Sequence, residues 1–232
     1  MNAFRSFRLI RWAPVTALVV AVVAACGSDT PSSPSIAGKI TRVRGDSQSV
    51  AAGTSLATPM VVKVVAQNGS PMLGQTVTWS LETGASGTLP SPTSLTDANG
   101  EASLSFNAGQ VAGKAEVTAT VGALAGVKFT QTVVAGPAAK LAKFAGDNAA
   151  GLVNAGVGLV VKVTDQYGNA VSGVTVSWEL TSTGGTLSAA TSTSDSAGLA
   201  RVTLTLGATP GTYSAKATSG SLPTATFTVT AI

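Results

Sequence analysis

Val174-Thr175-Val176-Ser177-Trp178-Glu179-Leu180 sets an apolar residue at every second position with a polar one between. A period of two marks a strand with one buried face, because successive side chains of an extended chain point to opposite sides. The pattern recurs at Val77, Trp79 and Leu81. It recurs again where Ala200, Val202, Leu204 and Leu206 alternate with Arg201, Thr203 and Thr205, and Ala102, Leu104 and Phe106 match that run. Val and Thr dominate, as a half-buried pleated surface favours. Turn formers separate the runs: Gln67-Asn68-Gly69-Ser70-Pro71, Asp97-Ala98-Asn99-Gly100, Gln166-Tyr167-Gly168-Asn169 and Asp195-Ser196-Ala197-Gly198. No amphipathic helical period follows residue 25. The expected fold class is all-β.

The runs occur twice in one register. Val62-Lys63-Val64 returns 99 residues later as Val161-Lys162-Val163, and at that offset Gln67, Gly69, Gly74 and Trp79 match Gln166, Gly168, Gly173 and Trp178. After one deletion the offset is 98, and Gly87-Thr88-Leu89, Asp97, Gly100 and Phe129 match Gly185-Thr186-Leu187, Asp195, Gly198 and Phe227. The period is too long for a solenoid and suits two domains of about 100 residues each. Seven or so short strands per copy imply two sheets packed face to face. Trp79 and Trp178 fall where a sandwich carries its central buried tryptophan, so both are expected in the core.

The run from Val163 to Val176, with Asp165-Gln166-Tyr167-Gly168-Asn169 at its turn, resembles the bacterial Ig-like domains of the invasin and intimin type, often called Big-1. So does Ser194-Asp195-Ser196-Ala197-Gly198-Leu199-Ala200. The first copy carries the same frame in Gln67 to Pro71 and in Thr96-Asp97-Ala98-Asn99-Gly100-Glu101-Ala102. The resemblance covers nearly all of residues 38–232. It implies tandem Ig-like antiparallel β-sandwiches, and its motifs are turn and core positions. One departure stands out: the first copy has Ala66 where the second has Asp165.

The N-terminus reads as an export signal. Arg5, Arg8 and Arg11 precede an apolar stretch from Ala13 to Ala25, too short to span a bilayer alone. Val23-Ala24-Ala25-Cys26-Gly27 resembles the bacterial lipobox, which implies that Cys26 receives a diacylglycerol and becomes the first residue after cleavage. Several acyl chains give stable anchoring where one does not. Gly27, in place of the Asp that retains some lipoproteins in an inner membrane, points toward an outer membrane. Residues 27–36 are small, polar and Pro-rich, as a tether is. Removing the signal takes three of the 14 Lys+Arg, leaving 11 against 10 Asp+Glu. No basic patch remains for nucleic acid.

The residue inventory excludes whole classes of chemistry. Histidine is absent and Cys26 is the only cysteine, so Ser-His-Asp, Cys-His and zinc sites cannot be built, nor can an intrachain disulfide. Asp97-Ala98-Asn99-Gly100 looks like a fragment of a calcium loop, but it lacks the further oxygen ligands such a loop needs and reads as a turn. No metal, cofactor or catalytic residue is expected. Arg44-Gly45-Asp46 matches the integrin-recognition tripeptide. The second copy has Ala145-Gly146-Asp147 at the equivalent place, so Gly-Asp belongs to the module and only the arginine is particular.

The expected organisation is a lipoprotein signal peptide over 1–25, the lipidated Cys26 and tether over 26–37, sandwiches over 38–135 and 141–232, and a linker over 136–140. The expected function is that of a non-enzymatic, lipid-anchored envelope protein whose sandwiches act as a spacer or interaction module. The runner-up is an adhesin or carbohydrate-binding protein using sandwich-end loops. The expected partners are the membrane, through Cys26, and an envelope protein or carbohydrate.

Overall fold

The computed structural model describes residues 36–232; the expected signal peptide, Cys26 and all but the end of the tether lie outside the described residues. Among the described residues every regular element is a strand. In the first domain, Met60–Ala66 lies between Ala37–Arg44 and Glu101–Leu104 in one sheet. The second sheet runs in the order Ser49–Ala51, Val127–Val134, Gly113–Thr120, Thr76–Leu81, Thr93–Leu95. The second domain repeats this with Lys140–Ala145, Gly156–Thr164, Leu199–Thr205 and Thr186–Leu187 against a five-stranded sheet from Ala149–Gly151 to Thr191–Thr193. These are Ig-like sandwiches, each tryptophan-bearing strand pairing as the strand C of such a fold does. The first domain ends its last strand at Val134 and the second begins its first at Lys140.

Each domain has its own core. Trp79 and Trp178 are 3% and 4% exposed. Their rings lie 5.8 and 5.9 Å from those of Phe129 and Phe227, tilted rather than stacked, the arrangement that ring quadrupoles favour. The strand between each pair carries alanine opposite the tryptophan, Ala119 and Ala217, which leaves room for the two large rings. A buried indole N–H needs an acceptor, and the Oγ of Ser94 and of Ser192 takes it at 2.8 Å in the two domains.

One irregularity sets the topology of both sandwiches. The first strand of each domain leaves one sheet, and the chain turns sharply and enters the other sheet as a short strand. That short strand, Ser49–Ala51 or Ala149–Gly151, runs parallel to the last strand of its domain. The turn needs left-handed backbone at two places, Gly45 (φ 90°) and Ser47 (φ 56°), repeated at Gly146 (94°) and Asn148 (56°).

Truncating Trp178 to alanine is expected to cost the second domain about 3–5 kcal/mol, a large core deletion that also strands the Ser192 hydroxyl. Urea unfolding followed by circular dichroism would show it as a separated early transition, while Trp79 fluorescence reports the first domain unchanged.

Candidate functional site

The tripeptide Arg44-Gly45-Asp46 lies on the sheet-switching turn, and the turn consumes its polar groups. Asp46 Oδ1 accepts the Thr130 N–H at 2.8 Å and its Oδ2 is paired with Arg42. The Gly45 carbonyl accepts from the side-chain amides of Gln48 and Gln131 at 2.8 and 2.7 Å. Gln131 is fully buried. Arg44 itself is half exposed and stands 3.7 Å from Glu101. The second domain does the same: Asp147 Oδ1 accepts the Thr228 N–H at 3.0 Å and Oδ2 is paired with Lys143. Lys143 holds the Asp147 carboxyl below the usual carboxylate range, with the Thr228 N–H acting in the same direction. The Gly-Asp frame that the duplication exposed is thus a clamp between the switching turn and the last strand.

The aspartate turns form a second recurring device. Asp97 Oδ1 accepts the N–H groups of Asn99 and Glu101 at 2.8 and 2.9 Å, and Asp195 Oδ1 accepts those of Ala197 and Leu199 at 2.9 Å each. The glycine closing each turn, Gly100 or Gly198, has φ near 75° and lies so close to a strand carbonyl (Val64 or Val163) that a Cβ would overlap it. Asp97 Oδ1 and the Asp97 carbonyl, which accepts the Gly100 N–H, are thus engaged by the backbone of their own turn. Among the described residues no three Cys, His, Asp or Glu side chains converge.

Asp165 makes a turn of the same kind, Oδ1 accepting from Tyr167 and Asn169 N–H at 2.9 Å each, but its other oxygen reaches outward. The two domains belong to one compact unit, and Asp165 stands where they meet. Oδ2 accepts the N–H of Gly136, in the connecting segment, at 2.9 Å and the Asn169 side-chain amide at 2.8 Å. Burial alone pushes the Asp165 carboxyl up. The Asn169 amide and the N–H groups of Gly136, Asn169 and Tyr167 together overcome this and hold it below its ordinary value.

Asn169 completes the contact by gripping the backbone of the first domain at two points. Its Nδ2 donates to the Gln110 carbonyl at 2.7 Å and its Oδ1 accepts the Ala112 N–H at 2.9 Å. One backbone donor and one backbone acceptor leave a single orientation of the amide that satisfies both. Beside it the Tyr167 hydroxyl rests on Gly53, close enough that any Cβ there would overlap it.

Of the two tyrosines, Tyr167 is 37% exposed with its hydroxyl set against Gly53 of the first domain, whereas Tyr213 is buried with its hydroxyl donating to the Thr209 carbonyl at 2.8 Å. Phe144, 59% exposed on the edge strand of the second domain, is the aromatic that strand periodicity did not single out. Gly53, Gln110 and Ala112 were also not marked, and Asn169 was marked only as a turn residue. The one available sign was Ala66 standing where the second copy has Asp165.

These features define a pair of Ig-like sandwiches with a built joint. The family model of the bacterial Ig-like domain (group 1) matches residues 40–134 and 148–232, and the chain belongs to that family. The solved structure of the Escherichia coli adhesin FdeC is similar in fold, with a TM-score of 0.58 and 22% identity over 84% of this chain and 66% of that one. Yersinia pseudotuberculosis InvD is similar at a TM-score of 0.56 and 19% identity over 83% of this chain and 57% of that one. No curated protein matches the chain.

Replacing Asp46 by alanine is expected to destabilise the first domain by roughly 1–2 kcal/mol through the lost bond to a backbone amide. Asp147→Ala should do the same to the second, each measured by urea unfolding. For the joint, Asp165 has a lowered folded-state value, so its contribution is complete above the unfolded value near 3.8 and disappears as pH falls through the folded one. The protection of the Gly136 amide, its exchange measured against the intrinsic rate at each pH, should therefore fall in acid, and Asp165→Asn should remove that pH dependence.

Proposed function

We propose that this chain is a non-enzymatic, lipid-anchored protein of the bacterial cell envelope whose paired Ig-like domains act as a stiff spacer or interaction module. The observation that carries the spacer reading is the hydrogen-bonded joint, since a stalk that sets a distance needs a defined angle between its segments. Val23-Ala24-Ala25-Cys26 supports the anchor, and the small polar segment after it supports a tether. Membership of the bacterial Ig-like family supports an envelope location, and Gly27 inclines the assignment to an outer membrane. The partners on this reading are the membrane, through Cys26, and an envelope protein or a carbohydrate.

Adhesion is the second reading. FdeC is an adhesin with domains of this fold, and Phe144 offers a half-open aromatic face of the sort that sugars stack on. Arg44-Gly45-Asp46 contributes little to it, because both carboxylate oxygens of Asp46 are engaged within the domain.

Feeding cells an alkyne-bearing fatty acid should label the wild-type protein and carry it into the membrane fraction, while Cys26→Ser does neither. A serine variant that still partitioned with membranes would overturn the anchor. Protease treatment of intact cells reports which side the domains face. A glycan array showing a specific sugar ligand lost in Phe144→Ala would replace the spacer with the adhesin.

A further inference from the structure

The duplication allows the two ends of each domain to be compared residue by residue. Each sandwich has a head, the end that carries the loop 66–70 or 165–169. Each also has a tail, formed by residues 51–54 and 109–112 in the first domain and by 152–155 and 207–210 in the second. At the joint the head of the second domain sits on the tail of the first. The head supplies Asp165, Tyr167 and Asn169; the tail supplies the bare backbone of Gly53, the Gln110 carbonyl and the Ala112 N–H.

The two outer ends of the pair lack these groups. The head of the first domain has Ala66, Asn68 and Ser70 where the second has Asp165, Tyr167 and Asn169. Its loop is built alike, the Ala66 N–H donating to Ser70 as the Asp165 N–H donates to Asn169. In the tail of the second domain Asn154 occupies the place of Gly53. Both have positive φ, 63° and 76°, and both donate N–H to a matching glycine carbonyl, Gly207 and Gly109. Pro210 occupies the place of Ala112, one residue before the matched Gly211 and Gly113. Proline has no N–H to offer an asparagine amide, and a side chain at 154 fills the space a tyrosine hydroxyl would need.

We infer that the joint is a one-way lock, in which Tyr167 and Asn169 fit a socket made by Gly53, Gln110 and Ala112 while Asp165 holds Asn169 and the connecting Gly136. Neither free end of the pair can repeat it. The lock makes the two domains a single rigid segment. It also bars both free ends from joining a second copy of this chain head to tail through the same contact. The inference rests on residues at the joint and is independent of the lipid anchor.

The internal repeat supplies its own test, because each diagnostic substitution is a residue that the sister domain already carries at the matching place. In the full-length chain, in detergent and with Cys26→Ser, nitroxides at Thr78→Cys and Thr175→Cys report the interdomain distance by pulsed electron resonance. A single narrow distribution is expected for this parent. Exchanging the socket (Gly53→Asn with Ala112→Pro) or the lock (Asp165→Ala, Tyr167→Asn and Asn169→Ser) should broaden the distribution roughly two-fold or more, toward that of a flexible linker. Asn154→Gly, at the free tail, should leave it unchanged. Hydrogen exchange gives a second reading: the Gly136 and Ala112 amides should be protected in the parent and lose that protection in the lock exchange, while core amides such as Val163 and Phe227 keep theirs. A parent distribution already broad, exchanges that leave it narrow, or unprotected Gly136 and Ala112 amides in the parent would each overturn the lock.

Discussion

Everything else in this chain rests on the packing of one tryptophan against one phenylalanine across an alanine-bearing strand, made once in each sandwich. With a single cysteine there is no disulfide to hold the two sheets together, so apolar contact must close them unaided. Small side chains at Ala119 and Ala217 admit the large rings, and the serine hydroxyls at 94 and 192 take the one polar group each ring carries inside. A fully closed core fixes the strand ends, and the strand ends fix the loops that meet between the domains. The order of a joint 29 residues from Asp165 in sequence, at Gly136, thus derives from packing elsewhere.

Aspartate is the recurring local tool. At 97, 165 and 195 one carboxylate oxygen gathers the N–H groups of its own turn. The second oxygen varies in use: at Asp195 it meets Arg201 at 2.5 Å, and at Asp165 it meets Gly136 and Asn169. An ordinary turn has become an interdomain contact through the free half of one side chain. Little new architecture was needed, which suits a duplicated module.

The same economy governs Gly45-Asp46 and Gly146-Asp147. A short sequence match suggests recognition of a partner, but the backbone geometry of the sheet switch calls for glycine, and the next residue must cap the last strand's N–H. Comparison of the copies within the sequence already pointed that way. The arginine and lysine that neutralise these aspartates, Arg42 and Lys143, lie four residues before them and were not marked by any motif.

Alternation with a period of two, the turn formers between runs and the exact spacing of Trp79 and Trp178 made the all-β class, the duplication and the two tryptophan cores legible in the sequence, because strand burial and tight turns are set by neighbours along the chain. The apolar stretch ending at Cys26 is likewise a local signal. The joint was not legible. Gly53, Gln110, Ala112 and Asn169 are ordinary residues of three loops distant in sequence, and nothing in their local pattern says that they touch. Tyr167 and Tyr213, alike in the sequence as aromatics near turns, were separated only by tertiary structure, one set against a neighbouring domain and the other buried in its own. Contacts between surfaces depend on how whole domains are oriented, and that orientation exists only once both cores have closed.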